Sequence, residues 1–159
     1  MAISNMIAQL FGRTDTQNAL LVPAPNSGLA LCEIVDNLPR FLKWERDEQT
    51  NGAMAIMEID ASDRVLAALE AQFSHQWTHK TLRKAPPSIR AAMKEFGGLR
   101  AKQQAFATML AEDIVLLGLW WPWGHGGTVS IRLVPYALED NQPDIEAIRA
   151  ALMRILRLQ

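Results

Sequence analysis

Residues 113–136 read DIVLLGLWWPWGHGGTVSIRLVPY, and they constrain the fold more than any other stretch of the chain. The run 113–121 is apolar almost without a break. It is too short for a membrane helix, which needs roughly 20 such residues, and it suits a strand buried along its whole length. From 128 to 136 the pattern changes to Val129, Ile131 and Leu133 alternating with Ser130, Arg132 and Val134, the period of a second strand. Between the two, Pro122 fixes φ while Gly124, Gly126 and Gly127 admit positive φ, so the chain reverses into an antiparallel hairpin. Turn chemistry does not call for the tryptophans. Trp120 and Trp121 are neighbours in a strand and must point to opposite faces, so one enters a core and the other needs a covering helix or a partner.

The rest of the chain alternates helical and extended patterns. Ile3, Met6, Ile7, Leu10 and Phe11 predict a short amphipathic helix, and a brief extended stretch at 19–22 closes at Pro23 and Pro25. Asn26 or Ser27 is placed to cap a helix through Leu29, Cys32, Val35 and Leu38, stopped by Pro39. The turn signal Asn51-Gly52 precedes a strand at 53–60, and a helix capped by Asp60 or Ser62 follows, burying Val65, Leu66, Leu69 and Phe73. Pro86-Pro87 opens a helix with the stripe Ile89, Met93 and Phe96. Gly97-Gly98 separates it from a further predicted helix carrying Leu99, Phe106, Met109 and Leu110. After 141–143, Ile145, Ile148, Leu152 and Ile155 form the narrow seam of a last helix. Helices and strands mixed without a βαβ rhythm predict one α+β domain over 1–159, with an antiparallel sheet of three to four strands flanked by amphipathic helices.

A chain of 159 residues with 49% hydrophobic and 21% charged residues fits an ordinary globular domain and not a disordered or fibrous one. Cys32 is the only cysteine, which rules out an internal disulfide and points to a reducing compartment. The first twelve residues have no basic stretch followed by an unbroken apolar run, so no secretory leader is expected and the predicted location is cytoplasmic. Charge is unevenly distributed along the chain. Residues 33–73 carry nine acidic and four basic side chains, whereas 74–104 carry seven Lys or Arg against the single Glu95.

Three constellations bear on function. Trp120, Trp121, Trp123 and His125 cluster at the hairpin loop. Tryptophans there have the large rigid surface and indole donor typical of interaction hot spots, although a small apolar cap over the sheet end is the commoner account of such residues. His75 and His79 fall at i and i+4 if the preceding helix continues, the spacing of two zinc ligands, with His125 as a third. Gln76 stands where a metalloprotease has its general-base glutamate, so hydrolytic zinc chemistry is not expected. The basic segment 79–104 offers Lys80, Arg83, Lys84, Arg90, Lys94, Arg100 and Lys102 to a phosphate backbone, with free N–H groups where a helix restarts after Gly97-Gly98. It matches a helix-turn-helix poorly, because Lys102, Gln103 and Gln104 interrupt the apolar positions a recognition helix packs on.

No nucleophile, base and orienting residue come together in the sequence. Cys32 sits in an apolar helical register where thiols are inert, the serines lack a nucleophile elbow, and Glu58 and Asp60 read as a strand end and a helix cap. No Gly-rich phosphate motif is present, and no cofactor is expected. The expectation is therefore a non-catalytic accessory subunit or adaptor in an intracellular assembly. Its partner is a protein or a second copy, met by the tryptophan loop and by the terminal seam Ile145, Ile148, Leu152 and Ile155. A nucleic-acid-binding protein using the basic segment is the alternative, and an enzyme with a histidine metal site is the second.

Overall fold

The computed structural model describes residues 27–139 and 144–158. The expected helix at 3–11, the extended stretch at 19–22, Asn26 and residues 141–143 lie outside the described residues. In chain order the elements are helix α1 (Ser27–Asp36), strands β1 (Trp44–Asp47) and β2 (Gly52–Glu58), helix α2 (Ile59–Gln72), and strand β3 (His75–Thr78). A 3-10 turn (Leu82–Lys84) leads to helix α3 (Pro87–Glu95), then strands β4 (Gln104–Ala111), β5 (Ile114–Pro122) and β6 (Thr128–Ala137), and helix α4 (Ile145–Ile155). The class is α+β, but the antiparallel sheet has six strands in the order β1-β2-β6-β5-β4-β3, not the three to four expected.

The extra strands have identifiable causes. Residues 104–111 were expected to be helical, because Phe106, Met109 and Leu110 are spaced like one helix face. They form β4, a strand covered on both sides, where alternation between apolar and polar residues disappears. Ala105, Ala107 and Met109 enter the core under α3, while Phe106 and Leu110 enter the core under the other helices. Residues 75–78 likewise do not prolong α2. That helix ends at Gln72, Phe73 is already extended, and β3 pairs with β4 from His75↔Ala107 to Thr78↔Gln104. β1, with the polar sequence WERD, is the opposite edge.

Two cores flank the sheet. On one face α1, α2 and α4 pack Leu31, Ile34, Val65, Leu69, Ile148 and Leu152 against Ala53, Ala55, Ile131, Leu133, Leu116 and Trp120. On the other, α3 and the 3-10 turn pack Ala85, Ile89, Ala92 and Met93 against Trp77, Ala105, Val115, Leu117 and Leu119. From Ile114 to Trp120 every residue of β5 is buried, as its unbroken apolar run demands. Gly118 interrupts that run for a steric reason. A Cβ there would lie 3.2 Å from Cζ of Phe73, whose ring occupies the space above the strand and meets Phe106 at 5.9 Å between centroids.

Local chemistry at the element ends follows partly as expected. Pro87 stands in the first turn of α3. The helix closes with the Gly98 N–H donating to Met93 O at 2.7 Å, both glycines having positive φ. α2 begins directly after β2, four residues earlier than a Ser62 cap implies. Ser62 Oγ instead donates to Ile59 O at 2.7 Å, and neither it nor Asp60 is the cap, which is Glu58. Among the described residues no helix is long and apolar enough to cross a membrane.

Two sites in the strand turns generate predictions. A Cβ on Gly52 would lie 2.2 Å from the carbonyl oxygen of Leu133, an immovable backbone atom of the paired strand. Gly52→Ala is expected to cost about 1–3 kcal/mol, read as a lower urea midpoint at unchanged m-value. In the β4–β5 turn Asp113 takes φ 61°, and burial, followed by the charge of Glu112, pushes its carboxyl above the usual carboxylate range. The folded state therefore favours the protonated acid. Its stabilising contribution is complete below the unfolded value of about 3.9 and is lost as pH rises through the folded one. Asp113→Asn, which tolerates positive φ and carries no charge, is expected to melt at a higher temperature than wild type at neutral pH. The gain should shrink to nothing as pH falls below about 3.9.

Candidate functional site

Strand direction decides which loops meet. Glu58 pairs with Thr128, Pro122 with Val129, Trp120 with Gln104, and Gln104 with Thr78. One end of the sheet therefore collects four connections: the β2–α2 junction, the tryptophan loop at 123–127, the turn at 97–103, and the turn that follows β3. At this end the Ile59 N–H donates to Gly127 O at 3.0 Å and the Trp123 N–H to Thr128 O at 2.8 Å. Ile56 near the end of β2, Ile59 at the start of α2 and Trp123 in the loop, each 43–44% exposed, are thereby grouped at this end of the sheet.

The tryptophans separate by face. Trp120 is 4% exposed and belongs to the core under α1, α2 and α4. Trp121 lies on the α3 side, half-buried, packed against that second core. Trp123 is in the loop, its ring meeting His125 edge-on at 5.8 Å. His125 Nδ1 accepts from the Gly127 N–H at 3.0 Å, so this imidazole braces the loop.

Beside Trp121 lies a polar network. On the α3 side of β1, β2 and the first half of β6, Arg132 donates through Nε to Asp47 Oδ2 at 3.1 Å and through Nη1 to Ser130 Oγ at 2.9 Å. Thr50 Oγ1 donates to the same Asp47 oxygen at 2.6 Å. The guanidinium carbon sits 4.3 Å from the centroid of the Trp121 ring, a cation–π contact. Asp47, Thr50 and Ser130 are buried, and the indole N–H of Trp121 has no acceptor among the described residues. Sequence reading missed this group. In the sequence Arg132 is only one outward position of an alternating strand, and Asp47 is 85 residues away.

The seven cations of 79–104 are distributed over two connections and one helix, not along two helices. Lys80, Arg83 and Lys84 follow β3, Arg90 and Lys94 ride on α3, and Arg100 and Lys102 lie in the turn before β4. All seven are exposed, and among the described residues none is ion-paired. Glu95, the one acid of the segment, accepts from the Tyr136 hydroxyl at 2.7 Å. The helix restart expected after Gly97-Gly98 is absent, since residues 99–103 are turn leading into β4. With it go the free helix N-terminus and any helix-turn-helix. A cavity of about 130 Å³ joins this turn to Trp121, lined also by Phe96, Gly97, Gly98, Arg100 and Gln103.

The histidines are not brought together. His75 and His79 are not on a helix: His75 opens β3, its ring stacked on Trp77 at 5.9 Å, and His79 follows the far end of that strand. Thr78 and the hairpin loop are separated by β4, and two strand spacings amount to about 10 Å. Among the described residues no group of three His, Cys, Asp or Glu is placed to hold a metal ion. The seam of α4 faces inward: Ile148 and Leu152 are buried with α1 and the sheet, and Ile145 and Ile155 pack at their margin. It is occupied by the molecule's own core and offers no free apolar stripe. Cys32 is half-buried on α1.

Comparison with known proteins returns no family model, no curated protein and no solved structure that matches the chain.

The Arg132–Asp47 pair supplies a prediction. Its side chains are only 13% and 9% exposed, so removing one partner strands a desolvated charge. Asp47→Ala is expected to cost about 3 kcal/mol in chemical denaturation, and Asp47→Leu combined with Arg132→Met distinctly less than the two single changes added together.

Proposed function

We propose that this chain is a non-catalytic accessory or adaptor component of a cytoplasmic assembly, and that it holds another macromolecule at the tryptophan end of its sheet. One observation carries the reading: Ile56, Ile59 and Trp123 are grouped and exposed at that end, beside a buried Arg132–Asp47 pair that fixes Trp121. Burial is the rule for such side chains, and a grouped exception costs solubility unless a partner uses it. The polar network supports binding more readily than chemistry. Arg132 Nε and Thr50 Oγ1 both donate to Asp47 Oδ2, and the guanidinium beside it holds the carboxylate as an ion-pair partner, a structural role for the group.

The test is purification of the tagged full-length chain from its native cell, with and without nuclease, in three forms: wild type, Trp123→Ala and Ile59→Ser. Both positions are exposed, so both variants should melt close to wild type. An apolar anchor of this kind contributes about 2 kcal/mol to an interface, so each change should weaken retention of the specific partner about 30-fold. Equal retention by all three forms, or a wild-type chain that purifies alone, overturns the proposal.

A further inference from the structure

We infer that the tryptophan end and the cationic turns beside it form one surface for single-stranded nucleic acid. This rests on the reading above that the chain is a binding component, and it names the chemistry of what is bound.

The sheet order places the parts. Across that end of the molecule the loop between β5 and β6 presents Trp123, the turn entering β4 presents Arg100 and Lys102, and the turn leaving β3 presents Lys80, Arg83 and Lys84. The two sequence features, tryptophans and cations, lie some twenty residues or more apart in the chain and are neighbours here. The cavity bounded by Arg100, Gln103 and Trp121 opens beside the β4 turn, and Trp123 follows Trp121 by two residues at the same end. The acids of 33–73 ride mainly on α1, β1 and α2; Glu58 and Asp60 reach this end at the β2–α2 junction, on the side of the tryptophan loop away from β3 and β4, so the bound strand's path runs from Trp123 toward the cationic turns.

Three properties favour a nucleic-acid strand. The five cations are exposed and unpaired among the described residues, so none has to give up an internal salt bridge to meet a phosphate. An exposed indole next to cations offers a base a face to stack on while the backbone is neutralised, the combination that single-stranded binders use. Only an unpaired base can stack in that way. α3 presses Ile89, Ala92 and Met93 into the sheet and does not project as a reading helix would, which disfavours duplex recognition.

The experiment is fluorescence anisotropy of labelled oligothymidylate and oligouridylate of about 12 nucleotides, added to the full-length chain. Binding is expected at about 50 mM salt, with affinity falling about 30-fold by 200 mM if three to four phosphates are neutralised. A duplex of equal length should bind at least about tenfold more weakly. Trp123→Ala and the pair Arg100→Glu with Lys102→Glu should each cost about tenfold. Arg154→Glu, an exposed cation on α4, should change nothing. No binding at low salt overturns the inference, as does an equal loss with Arg154→Glu. Preferential binding to phosphatidylserine vesicles, insensitive to Trp123→Ala, overturns it too and assigns the cations to a lipid surface. If oligonucleotides fail while a nuclease-resistant protein partner is lost with Trp123→Ala, the adaptor reading stands and this one falls.

Discussion

Burial of β5 on both sides is the constraint on which the rest of the structure depends. Seven consecutive buried residues leave no face of that strand for water, so the chain has to supply two covers. The covers differ in kind. Three helices lie over one face with large side chains between them and the sheet, whereas a nine-residue helix and a 3-10 turn lie over the other, where Ala105 and Ala107 keep the surface low. Size is traded between faces within single strands. β4 sends alanines one way and Phe106 and Leu110 the other, and β5 gives up a side chain at Gly118 so that Phe73 can close the larger core.

Legibility followed periodicity and punctuation. β5 and β6 were visible because one is apolar without interruption and the other alternates. α3 was visible from Pro87 and the paired glycines, and α4 from its three- and four-residue steps. β4 was not, because a strand covered on both faces loses the alternation that identifies strands, and Phe106, Met109 and Leu110 happen to fall at helical spacing. β3 was hidden by Phe73 and Trp77, four residues apart, which continue the pattern of α2 beyond the point where the backbone turns extended. The four residues of β1 carry no apolar pattern at all, since an edge strand can be held by one neighbour's hydrogen bonds.

The candidate site was half legible for the same reason. Rare residues mark the tryptophan loop in any reading. What the loop adjoins depends on strand order, which no local pattern contains. The His75–His79 pair shows the converse error: a spacing meaningful on a helix loses its meaning on a strand, where the intervening residues carry the two rings apart. The Arg132–Asp47 network was out of reach of any window, because its members meet only when β1 and β6 flank β2.

The sheet tapers, with four-residue strands at both margins and strands of seven to ten residues between them. A margin this short offers an approaching strand few unsatisfied amides, and both margins are bordered by charge: Glu45, Arg46 and Glu48 at one, Lys80, Arg83 and Lys84 at the other. Such edges resist the strand-to-strand templating that turns exposed sheet into aggregate. Growth of the sheet by strand addition is therefore disfavoured at both margins, which directs any association of the chain to its faces and loop ends.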